Sequence, residues 1–179
     1  MRRLLAVIAV VVFAAAPAHA QTSAADEAVD LVAQATAICA AVVFEGQSFE
    51  AQLEGRPEWR SVSPSETGSS LATHAWRHRS ANNTFVMRLP NGGCSFGVDS
   101  ADSEAVRAQI ESALAPYATF ELVLHSSTRE GRATRYGYCE RREYPHVMSI
   151  VAAQPASEPN LVFNIFRAAS PMPEFCVFR

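Results

Sequence analysis

Lysine is absent from this chain: all fifteen basic residues among its 179 are arginine. No lysine is available as a Schiff-base nucleophile or as the phosphate-holding residue of a P-loop, which excludes both lysine mechanisms. A codon bias toward Arg and Ala accounts for the absence without a functional demand. An excess of positive charge is also missing. After residue 20 thirteen arginines face eighteen acids, a net charge of −5 with histidines neutral, whereas a nucleic-acid binder concentrates a basic excess on one surface. The cysteines form no C-x-x-C pair and stand beside no histidine at zinc-like spacing, so neither a redox-active dithiol nor a metal is implied, and no cofactor is expected.

A long apolar span is lacking too. Leu4–Ala16 is uncharged, but as a helix at roughly 1.5 Å per residue it covers only about two-thirds of a bilayer core, and polar sequence follows at once. With Arg2 and Arg3 before it and Pro17-Ala18-His19-Ala20 after it, the stretch reads as a cleavable secretory signal over residues 1–20. Cleavage after Ala20 would make Gln21 the mature start. The absence of a cysteine there argues against a lipid-modified terminus. Residues 21–179 suit one domain with its own core, expected in the periplasm with no stable membrane span.

An exported chain with an even number of cysteines is expected to pair them, so Cys39, Cys94, Cys139 and Cys176 predict two disulfides. Of the three pairings, Cys39 with Cys94 and Cys139 with Cys176 joins neighbouring parts of the chain and is preferred.

Local patterns predict an α+β domain. Ser23-Ala24-Ala25-Asp26 has the form of a capping box, and Leu31, Val32, Ala35, Ile38, Cys39 and Val42 recur at helical spacing until Gly46. One or two further turns follow Ser48. Arg56–Ser70, with Pro57, Pro64 and Gly68, reads as a long surface loop in which Trp59 needs cover. Period-two stretches at 72–79, 84–89 and 94–98 predict a three-stranded antiparallel meander. A second helix is capped within 99–102, carries the stripe Val106, Ile110, Ala113 and Leu114, and ends at Pro116. Four further antiparallel strands are expected at 119–124, 133–140, 147–152 and 161–167. The halves resemble each other as strand groups around a helix, without a residue-level repeat.

Candidate chemistry is sparse. His74 and His78 would share one strand face around Trp76 and need His125, His146 or a carboxylate to complete a metal site. No nucleophile elbow is expected among the serines, most of which lie in turns or within Ser61–Ser70, where hydroxyls bond the local backbone. The acid pairs Glu50 with Glu54 and Glu140 with Glu143 suit solvated surface. Arg129–His146 is the most unusual segment, combining Arg129, Arg132, Arg135, Arg141 and Arg142 with Tyr136, Tyr138 and Tyr144. It suits either an anion-binding surface or an edge hairpin kept from aggregating by its charges. Strand alternation puts Cys139 on the face of Arg135 and Arg141, a conflict if that bridge points inward, unless a bulge at Gly137 re-aims the chain.

The sequence thus favours a non-enzymatic periplasmic binding or accessory domain for an unknown protein or cell-envelope component. Its candidate contacts are Arg135, Tyr136, Tyr138, Arg141 and Trp59. A small hydrolase or metal-dependent enzyme around His74 and His78, or an envelope structural protein, are the alternatives.

Overall fold

The computed structural model describes residues 24–81, 83–99, 102–128, 132–141, 145–153, 159–168 and 176. The predicted leader, Ser23, Arg129, Arg142 and Tyr144 lie outside the described residues. The apolar stripe read from the sequence forms α1 (Ala24–Phe44), which buries Val32, Ala35, Ile38 and Cys39 completely. From Glu27 to Phe44 the helix is long and apolar enough to cross a membrane, but half of that window is buried in the protein, so its apolar surface is core. It stops at Gly46, whose φ of +67° suits a residue without Cβ, and the Gln47 N–H turns back to the Ala41 carbonyl at 3.1 Å. Ser48 caps α2 (Phe49–Leu53) by accepting from the Ala51 N–H at 3.0 Å. Asp102 caps α3 (Ser103–Leu114), its carboxylate accepting from the Glu104 and Ala105 N–H groups at 3.0 Å each. Pro116 stands two residues past the end of α3.

The strands are β1 (Trp59–Val62), β2 (His74–His78), β3 (Phe85–Arg88), β4 (Cys94–Val98), β5 (Phe120–Ser127), β6 (Ala133–Glu140), β7 (His146–Ala153) and β8 (Leu161–Arg167). They form one antiparallel sheet in the order β1-β2-β3-β4-β8-β7-β6-β5. The first half therefore holds four strands and not three. The predicted loop over Arg56–Ser70 is replaced by β1 and a 3₁₀ turn at Pro64–Thr67. Trp59 pairs with His78 and is only 5% exposed, so burial of the indole anchors a four-residue strand too short for its period to show.

Each half is a helix followed by a four-stranded meander, and the last strands of the two meanders pair with each other. At that junction Phe96 lies opposite Phe163 with ring centroids 4.7 Å apart.

Helices cover one face of the sheet. There Val32, Ile38, Val106, Ile110 and Leu114 pack with Val86, Phe96, Tyr136, Tyr138, Met148, Ile150, Phe163 and Ile165. The Cys39–Cys94 bridge ties α1 to β4 on that side. The second bridge, Cys139–Cys176, completes the preferred pairing but lies on the opposite face, in a small cluster with Val147 and Ala168. This placement removes the conflict foreseen for β6. Cys139, Gly137 and Arg135 share the uncovered face as simple alternation requires, and the register shift falls on β5 between Leu122 and Leu124.

Candidate functional site

Three strands share one pattern, a single polar residue between two apolar ones: Cys94-Ser95-Phe96, Met148-Ser149-Ile150 and Phe163-Asn164-Ile165. Alternation sends the apolar neighbours under the helices and the polar residue to the uncovered face. Register then aligns the three, because Ser95 lies opposite Asn164 and Asn164 opposite Ser149. Met87 extends the row on β3, and Gly137 extends it on β6 without adding a side chain. The Ser95 hydroxyl donates to the Phe163 carbonyl at 2.8 Å, and the Asn164 amide reaches the Ser149 hydroxyl at 3.4 Å.

This row floors a cleft of about 700 Å³, within the range of small-molecule sites. One wall is the chain from Thr67 to Leu71, held over the sheet where the Thr67 hydroxyl meets Met87 Sδ at 3.0 Å. Leu71, on that wall, is 68% exposed, more than any other large apolar residue described. Phe85, Pro159, Val162 and Phe166 supply most of the remaining apolar lining. Gly97 is required beneath them: a Cβ there would come within 2.8 Å of both the Phe85 ring and Pro159 Cγ. Arg135 is the one charged residue among the described lining residues. It is exposed, and no described carboxylate pairs with it.

The five residues expected to form a binding surface are not brought together. Arg135 reaches the cleft, while Tyr136 and Tyr138 point to the other face and are buried beneath α3. Trp59 is buried at the far side of the sheet against His78. Arg141 pairs with Glu121 at the β5–β6 edge, one of its contacts at 3.0 Å, which lowers the pKa of that carboxyl.

The two tyrosines instead hold α3 in place. The Tyr136 hydroxyl donates to Glu104 and the Tyr138 hydroxyl to Glu111. Arg107 lies between these acids, 2.8 Å from Glu104 and 2.6 Å from Glu111, with its guanidinium 5.1 Å from the centre of the Tyr136 ring. The hydrogen bonds from Tyr136 and Arg107 hold the Glu104 carboxyl below its ordinary pKa. Burial first, then the bond to Glu111, pushes Tyr138 up to about 12. An unfolded tyrosine ionises near pH 10. A folded-state pKa above that value gives stability that is complete below about pH 10 and disappears as pH rises through about 12. Urea unfolding at a series of alkaline pH values therefore shows a steep loss across this window in wild type and a shallower one in Tyr138→Phe. Equal slopes in the two proteins contradict the assignment.

His74 and His78 share the helix-facing side of β2 but serve different neighbours. His74 is exposed, 4.0 Å from Glu50, whereas His78 is buried beside Trp59, its Nδ1 3.1 Å from the Ser80 hydroxyl. His146 bonds Glu140 at 2.9 Å in a buried pair, and His125 stacks on Tyr136. Among the described residues no three His, Cys, Asp or Glu side chains gather as a metal site.

Contrary to the expectation that no nucleophile elbow is present, Gly93-Cys94-Ser95-Phe96-Gly97 have its G-x-S-x-G spacing. The geometry is different. Such a serine sits on a strained strand-to-helix turn, whereas Ser95 is the second residue of a paired five-residue strand, fully buried, with its hydroxyl given to a backbone carbonyl. No described non-glycine residue has positive φ, and no histidine is among the described lining residues. Neither a family model nor a curated protein matches the sequence.

Proposed function

We propose that the chain is exported to the periplasm, with its leader removed after Ala20, and acts there as a non-enzymatic binding or accessory domain for a cell-envelope component. The uncovered sheet face is its binding surface. The observation that carries this reading is the cleft of about 700 Å³ on the face the helices leave free, apolar in most of its lining and crossed by a row of polar side chains. Apolar concavities with a few convergent polar groups are the usual form of a ligand site. Two disulfides fit an oxidising compartment.

The test compares wild type with two cleft-filling variants, Ser149→Trp and Val162→Trp, each confirmed as folded by circular dichroism. The proteins are immobilised and exposed to an extract of the host envelope, and retained molecules are identified by mass spectrometry. The reading expects molecules held by wild type and lost from both variants. Equal retention by all three places binding elsewhere and contradicts it.

A further inference from the structure

Polarity is not spread evenly over the cleft. Across the sheet from β6 to β3 the lining passes from Arg135, through Ser149 and Asn164, to Phe85 and Met87, with exposed Leu71 above that end. Four strand spacings separate the two ends, about 19 Å at roughly 4.8 Å each. We propose that this gradient selects a single-chain amphiphile bearing a carboxylate, with the anionic head at Arg135 and Ser149 and the hydrocarbon tail laid across the strands toward Phe85, Met87 and Leu71. The proposal rests on the cleft being the binding surface and adds the chemistry of its ligand.

Charge complementarity sets the orientation. Arg135 is the only charge among the described lining residues, so an anion meets a cation with no described carboxylate competing for it. Guanidinium forms two parallel hydrogen bonds with a carboxylate, and Ser149, which lines the same cleft diagonally across from Arg135 on the neighbouring strand, opposite Gly137, offers a further donor. At the other end a tail long enough to span the sheet removes from water the isobutyl group of Leu71, which the protein itself leaves 68% exposed; ten-carbon probes stop short of it and report the head-group contacts and the nearer apolar lining. A cationic amphiphile would instead bring like charge to Arg135. An uncharged alcohol would gain only the apolar contacts.

The experiment measures binding of decanoate, decanol and decylamine by calorimetry, below their aggregation concentrations, to wild type, Arg135→Gln and Ser149→Trp. Arg135 is exposed, so its substitution leaves the fold intact, which thermal unfolding verifies. The proposal expects decanoate to bind wild type roughly tenfold or more tightly than decanol, as a hydrogen bond to a charged group implies. Arg135→Gln should erase that advantage while leaving decanol unchanged, and Ser149→Trp should weaken both. Decanol binding as tightly as decanoate, with Arg135→Gln without effect, overturns the carboxylate assignment yet leaves the cleft as the binding surface. No binding by any of the three overturns the amphiphile proposal, and the envelope-extract comparison decides separately whether the cleft binds another class.

Discussion

With Cys39 and Cys94 both changed to alanine, the domain loses about 4 kcal/mol of its stability to urea, the value expected from closing a loop of this length in the unfolded chain. The two cysteines are 55 residues apart and fully buried where α1 meets β4, so the bridge restricts a third of the chain before any folding begins. Domains of this size are stable by only about 5–15 kcal/mol, which makes one bridge a large share of the total. Equilibrium unfolding of the double variant against wild type, without reductant, measures the difference. A loss below about 1 kcal/mol means that the bridge adds little to what the packing of α1 already supplies.

Phe163→Ala is expected to destabilise the domain by about 3–5 kcal/mol, the range for removing a fully buried phenylalanine. Phe163 stacks on Phe96 at the one place where the two meanders pair, and both rings are at 0% exposure. A cavity there lies beneath α1 and α3 at the centre of the core, where the surrounding sheet cannot collapse to fill it. Phe166→Ala is the control, because Phe166 is on the same strand but on the uncovered face and only partly buried. Its loss costs less. If the two variants are equally stable to denaturant, the division of the sheet into a covered and an uncovered face is wrong.

Elements whose signal is local were legible in the sequence. The stripe of α1 with its Gly46 stop, the Asp102 cap of α3, and the segments Cys94–Val98, Ala133–Glu140 and Leu161–Arg167 all appear as read, because helical spacing, caps and alternation are written over a few adjacent residues. β1 was not legible. Its four residues stand between Pro57 and Pro64, and what makes it a strand is the burial of Trp59 beside His78, a residue nineteen positions away. The pairing of β4 with β8 likewise joins residues some 68 positions apart, so nothing in either segment announces it.

That non-local pairing is also why the cleft is not legible in the sequence, whereas the Arg and Tyr segment stands out in it. Composition alone grouped Arg135 with Tyr136 and Tyr138, whereas a one-residue step along β6 turns the arginine to the cleft and the tyrosines to α3. The signal that pointed to the site was quieter: one polar residue between two apolar ones, three times over, in Ser95, Ser149 and Asn164. It becomes a row only when β4, β8 and β7 lie side by side.

The direct test of the binding face is amide chemical-shift mapping, in which isotopically labelled protein is titrated with the molecules that wild type retains from the envelope extract. Shifts concentrated around Ser95, Ser149 and Asn164 and on the wall from Thr67 to Leu71, with the outer faces of α1 and α3 silent, are the predicted result. Shifts centred on α1 or α3, with the cleft unchanged, would contradict it.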